Sequence, residues 1–142
     1  MILVDTSGLL AAIDASQNEH AAAAAALKQA TPPLLLSPFV LAELDYLLLS
    51  RVGTHAETAL LKEVAEGAYQ LEPFDRADVD AALTYVNRYA DVELGLADAS
   101  IIVLSDRHDV ADLLTLDQGH FRVARGKGGQ RFRLLPADAS PQ

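Results

Sequence analysis

Cysteine is absent from the sequence, which excludes disulfides and thiolate metal sites. Aromatic residues reach only 6%, while hydrophobic residues make up 51% with Leu and Ala dominating; that balance favours a helix-rich globular domain. Basic residues are scarce, 11 against 20 acidic ones, for a net charge of −9. This disfavours tight non-specific nucleic-acid binding, which rests on cations neutralising phosphates. No basic segment precedes the N-terminal apolar run, so no signal peptide is expected. Long hydrophobic runs are missing too. The longest, Leu34 to Leu49, contains Pro38, Glu43 and Asp45 and is too short and too charged to span a bilayer. A cytoplasmic protein with no membrane partner is the expectation. There is no Gly-x-Ser-x-Gly elbow. The stretch RGKGGQR lacks the Ser or Thr that follows Gly-Lys in a phosphate-binding loop.

What is present fits one domain of 142 residues, with no internal repeat and no linker. The chain opens MILVDTSGLL. A short aliphatic run into Asp5, then small hydroxyl residues, reads as a buried strand followed by a helix over Ser7 to Ile13. Helices are expected over Asn18 to Ala30, Ser37 to Arg51, His55 to Ala68, Pro73 to Ala90 and Leu96 to Arg107. Ser37-Pro38 is a strong start signal, since Ser caps and Pro suits the first helical position. Strands are expected over Leu34 to Leu36, Tyr69 to Leu71, Asp112 to Leu116 and Phe132 to Leu135. On the amphipathic helices, Leu60, Leu61, Val64 and Ala65 are expected to face inward, as are Val79, Ala82, Leu83 and Val86. Strands alternating with helices imply an α/β fold, a parallel sheet flanked by helices. The domain is expected to cover 1–136, with 137–142 a disordered tail.

In such a fold ligands bind at the carboxyl ends of the strands. Four acids fall there: Asp5 after the first strand, Glu43 in the helix after the second, Asp98 in the first turn of a later helix, and Asp117 after the strand ending near Leu116. Each is flanked by apolar sequence and is expected near the core. Two carboxylates ~4 Å apart repel by about 4 kcal/mol at an effective dielectric near 20. A domain stable by roughly 5–15 kcal/mol cannot hold four such groups bare and ionised. Protons or a hard divalent cation must offset them. A carboxylate-held divalent ion is a standard device for phosphodiester chemistry. The competing reading makes Asp5 and Asp98 helix caps, Asp117 a turn former and Glu43 a solvated residue. The protein is then a non-catalytic α/β interaction module. Acids on polar helix faces do not enter the argument: Glu63, Glu66, Asp75, Asp78 and Asp80 read as solvated.

At the four positions the chain resembles a PIN domain, specifically a VapC-type toxin ribonuclease. The matching pieces are MILVDTSGLLAAID, SPFVLAELDYLL, GLADASIIVLSDRH and LLTLDQGHF, in that order. The resemblance implies an α/β/α sandwich and an endoribonuclease dependent on Mg²⁺ or Mn²⁺. It also implies a homodimer, and a cognate VapB-like antitoxin that inhibits it. It implies Asp5, Glu43, Asp98 and Asp117 as catalytic and metal-holding residues, with Thr6 and Thr115 in support. The implied substrate is structured RNA, the sarcin–ricin loop of rRNA or a tRNA.

Further features carry expectations. Arg122, Arg125, Lys127, Arg131 and Arg133 lie in a stretch without acids; the first four are candidate RNA contacts. His20, His55, His108 and His120 form no ligand pattern and read as surface residues, with His120 close enough to Asp117 to meet RNA. The helix from Phe39 to Leu49 is apolar on more faces than one core covers, which points to a partner surface.

Overall fold

A computed structural model describes residues 1–140. Strand β1 (Ile2–Val4) leads into α1 (Thr6–Ile13) and α2 (His20–Gln29). Strand β2 (Leu34–Leu36) leads into α3 (Pro38–Arg51) and α4 (Thr54–Ala65). Strand β3 (Gln70–Leu71) is followed by α5 (Arg76–Arg88), a 3₁₀ turn (Ala90–Val92) and α6 (Leu96–His108). Strand β4 (Asp112–Leu114), the short α7 (Gln118–Phe121) and β5 (Arg133–Leu135) complete the chain.

The sheet is parallel throughout, in the order β3-β2-β1-β4-β5. The chain moves outward from β1 through β2 and β3, then returns to the other edge of β1. The switch point of this α/β sheet therefore lies between β1 and β4, where a crevice opens at the carboxyl ends. Ile2, Leu3 and Val4 are all buried, as a central strand covered on both faces requires. Helices flank the sheet. The middle of α6, Ala99 to Ser105, is buried without a break, and this helix packs on β1, α3 and α5.

Local signals explain the helix starts. The Ser37 hydroxyl accepts from the Phe39 N–H at 3.2 Å, with Pro38 at the first position of α3. Asp75 and Asp78 form a reciprocal capping box at α5. Gly8 answers a different need. A Cβ on it would lie 2.5 Å from the Leu114 carbonyl oxygen. Only glycine lets the first turn of α1 lie against the end of β4.

Several expectations need correction. On α4 the inward residues are Leu60 and the half-buried Val64, while Leu61 and Ala65 are exposed. On α5 the inward residues are Ala82, Tyr85 and Val86; Val79 and Leu83 are exposed. A four-residue repeat marks two neighbouring helix faces equally well, and the bulkier Tyr85 takes the core. The expected disordered tail does not describe residues 137–139. Asp138 accepts both guanidinium nitrogens of Arg122 at 2.7 Å and the Leu134 N–H at 2.8 Å. Residues 141 and 142 lie outside the described part. No helix among the described residues is long and apolar enough to cross a membrane.

Candidate active site

The carboxyl ends of β1 and β4 meet in a cleft of about 380 Å³ lined by Asp5, Glu43, Asp98 and Asp117. Four separate elements supply these acids, so the fold brings all four sequence candidates to one place. Their environments differ.

Asp5 is buried. It occupies the position before α1 but its side chain makes no capping bond. The Thr115 hydroxyl donates to Oδ2 at 2.7 Å and the Ser7 hydroxyl donates to the same oxygen at 2.9 Å. Neither touches Oδ1. Burial pushes the carboxyl up to about 6, against the pull of the two hydroxyls and with the Asp98 charge adding to the rise. Thr115 also accepts from the Asp117 N–H at 2.9 Å, and Ser7 accepts from the Leu116 N–H at 2.9 Å. These two hydroxyls lock the turn after β4 onto the turn after β1. Thr6 is buried, and its hydroxyl has no partner among the described residues.

Asp98 sits in the first turn of α6. Burial raises its carboxyl above the ordinary range; His120 and, slightly, the Gly95 backbone at the helix start oppose this, while the Asp117 and Glu43 charges reinforce it. Asp117 does cap: its Oδ1 accepts the His120 N–H at 3.0 Å at the start of α7. Glu43 is exposed on α3 at the cleft wall, not near the core as expected. Being on a helix rather than a strand end, it reaches the cleft from outside.

His120 is the main correction. It is no free surface residue. Its Nδ1 lies 2.6 Å from Asp117 Oδ2 and 3.9 Å from Asp98, and its Nε2 lies 2.7 Å from the Val92 carbonyl. Both nitrogens face acceptors, which the imidazolium satisfies and the neutral ring does not. The Asp117 hydrogen bond raises its pKa accordingly. Asp98, Asp117 and His120 offer ligand atoms all within 4.8 Å of one another. The oxygen donors of Asp98 and Asp117, with Asp5 and a buried hydroxyl beside them, fit a divalent ion of the Mg²⁺ or Mn²⁺ type, His120 being spent on Asp117 and the Val92 carbonyl.

Sequence reasoning missed Ser7, His120 as a site member, and the Gln17 and Arg51 side chains that also line the cleft. Position alone flags His120, three residues past Asp117 and so on the same helical face. The candidate RNA contacts lie elsewhere. Arg122 is committed to Asp138 and Gln118. Arg125 donates to the carbonyls of Arg122, Val123 and Ala124. Lys127 and Arg131 are exposed and enter no side-chain ion pair among the described residues.

Known proteins share this fold. The PIN domain model matches residues 2–126. Ribonuclease VapC26 of Mycobacterium tuberculosis is 43% identical over 135 residues, which is 95% of this chain and 100% of that protein. The crystal structure of VapC20 from the same species, a sarcin–ricin-loop-cleaving toxin, superposes with a TM-score of 0.77 at 23% identity. That match covers 82% of this chain and 90% of the other. FitAcB from Neisseria gonorrhoeae superposes with a TM-score of 0.60 at 22% identity, over 84% of this chain and 89% of that one. The two superpositions show the fold; the sequence match over nearly the full length shows the relationship. The chain belongs to the PIN-domain family, in its VapC ribonuclease branch.

Proposed function

We propose that this protein is a divalent-metal-dependent endoribonuclease and the toxin of a toxin–antitoxin pair, inhibiting translation by cutting structured RNA. The convergence of four carboxylates from four elements on one cleft carries the reading. Kinship with a ribonuclease supports the reaction class, and the folded likeness to a sarcin–ricin-loop-cleaving toxin favours rRNA over tRNA as substrate.

In this reading Asp5, Asp98 and Asp117 hold Mg²⁺ or Mn²⁺, with Glu43 facing them from α3. The ion, when bound, activates water and offsets charge on the phosphate. The protein's own groups do the positioning. Thr115 and Ser7 fix Asp5 through Oδ2. His120 holds Asp117 against the 3₁₀ turn through Val92. The exposed apolar side chains Tyr46, Leu49 and Val52 near the end of α3, and Val79 and Leu83 on α5, suit an antitoxin helix and a second copy of the chain. The domain on this account runs from 1 to 136, with the following residues held against it through Asp138.

RNA cleavage in Mg²⁺ or Mn²⁺, in EDTA, and by Asp5→Asn tests the proposal. Activity that survives both EDTA and the substitution overturns it. A non-catalytic interaction module gives no cleavage and no Mn²⁺-dependent rise in Tm, whereas a metal-holding site gains stability by mass action.

A further inference from the structure

The cleft is lined by one cation that no carboxylate of the described residues neutralises. Arg51 lines it at the last turn of α3. Glu43, Leu47 and Arg51 follow at four-residue intervals, and all three face the cleft. Arg51 is exposed at the cleft mouth, and helical side chains tend to lean toward the N-terminus of their helix, which for Arg51 is the direction of the cleft acids. Its backbone stands eight residues beyond Glu43, about 12 Å along the axis. Glu43 is therefore too far for the one-turn ion pair that would neutralise it. No carboxylate pairs with Arg51 among the described residues, although the chain has 20 acids and only 11 basic residues.

A guanidinium has five donors in a rigid fork suited to phosphate oxygens. Leu47 separates it from the acids, which divides the cleft into an acidic end and a cationic end. A phosphate engaged at the acidic end brings the neighbouring phosphates of its backbone to the same cleft, which Arg51 also lines. We propose that Arg51 is a substrate-positioning residue that binds a backbone phosphate neighbouring the one being cut. The proposal rests on the ribonuclease reading. It explains how a chain of net charge −9 holds a polyanion beside four carboxylates: the divalent ion serves one phosphate and Arg51 the next.

The experiment measures initial rates of total bacterial RNA cleavage in Mn²⁺ against RNA concentration for the wild type, Arg51→Ala and Arg51→Lys. Arg51→Ala is expected to raise KM about tenfold with kcat nearly unchanged, and to lower the log–log salt slope of binding by about one. Arg51→Lys is expected to recover most of the KM, because the charge remains. The Mn²⁺-induced rise in Tm is expected to persist in both variants, since Arg51 holds no metal. An unchanged KM and salt slope in Arg51→Ala, beside an active wild type, overturns the inference. So does a fall confined to kcat. A wild type that cuts no RNA in Mn²⁺ instead overturns the ribonuclease reading on which the inference stands.

Discussion

At its first turn α6 presents Asp98 to a cleft shared with Asp5, Glu43 and Asp117; at its last it presents Arg107 and His108 to Glu72 and Asp78. Both ends gather acids and a histidine. Glu72 is buried, as Asp5 is, and burial alone pushes its carboxyl up. Hydrogen bonds from His108, Gln70 and Arg107 outweigh that and hold it below the ordinary range. Asp78 is also held low, first by the Asp75 N–H and then by Arg107. In the cleft the balance runs the other way, and Asp5 and Asp98 are held high. The far end is a closed structural tie. The cleft gathers carboxyls that resist ionisation, a pattern found more often at functional sites than in structural ties.

The sharpest test of this difference is Asp5→Asn. Removing the acid at the centre of the cleft should lower RNA cleavage about 1,000-fold or more, near 4 kcal/mol of activation energy. Tm without metal should hold or rise, because a buried group that resists ionisation has gone. A large Tm loss would show that Asp5 serves the fold rather than the chemistry.

Next in size is the pH profile without metal. Asp5 titrates near 6 in the folded state against 3.8 for an ordinary Asp. Between those values the folded protein binds the extra proton, so stability falls as pH rises. The full difference is on the order of 3 kcal/mol. Asp98 and His120, both raised, act in the same direction. Urea unfolding from about pH 4 to about pH 8 should show this decline in EDTA and a flatter curve in Mn²⁺. Equal curves would remove the metal from the comparison.

The other end of α6 should give the reverse pattern. Glu72→Ala leaves Arg107 and His108 without their buried acid and should cost about 2 kcal/mol by urea unfolding. RNA cleavage per folded molecule should stay the same. Because the Glu72 carboxyl is held low, its contribution is present above the ordinary Glu range and disappears as pH falls below it. A cleavage defect at full stability would show that the two ends are coupled.

The smallest effect is expected at the basic loop. Replacing Lys127 and Arg131 by Ala should slow cleavage only roughly twofold at low salt, and salt should erase the difference. A loss as large as that expected for Arg51→Ala would move the main RNA track from α3 to the loop.

Much of the cleft was legible because strand ends in a parallel sheet share one side, and each acid follows or neighbours a short apolar run. Asp5 and Asp117 needed only the order of elements. The partners that set their state were not legible. Thr115 reaches Asp5 across 110 positions of sequence, and no local pattern announces such a bond. His120 read as a surface histidine because its acceptor, the Val92 carbonyl, belongs to the backbone of a distant turn. Glu43 was expected near the core because its neighbours are apolar, yet those neighbours cover a different face of α3. Arg122 read as a free cation because its acid, Asp138, lies in a segment expected to be disordered.

The bond from Thr115 to Asp5 also sets when in the protein's life its chemistry can exist. Strand β1 is made first and stands at the centre of the sheet, but its second neighbour, β4, is made nearly last. Contacts so distant in sequence form late and slowly. A growing chain on the ribosome carries Asp5 and Ser7 from the start, with neither Thr115 to orient them nor Asp117 to face them. Any product of interrupted synthesis or of a frameshift before residue 115 lacks Thr115 and Asp117. On the proposed function, such incomplete copies are expected to cut no RNA.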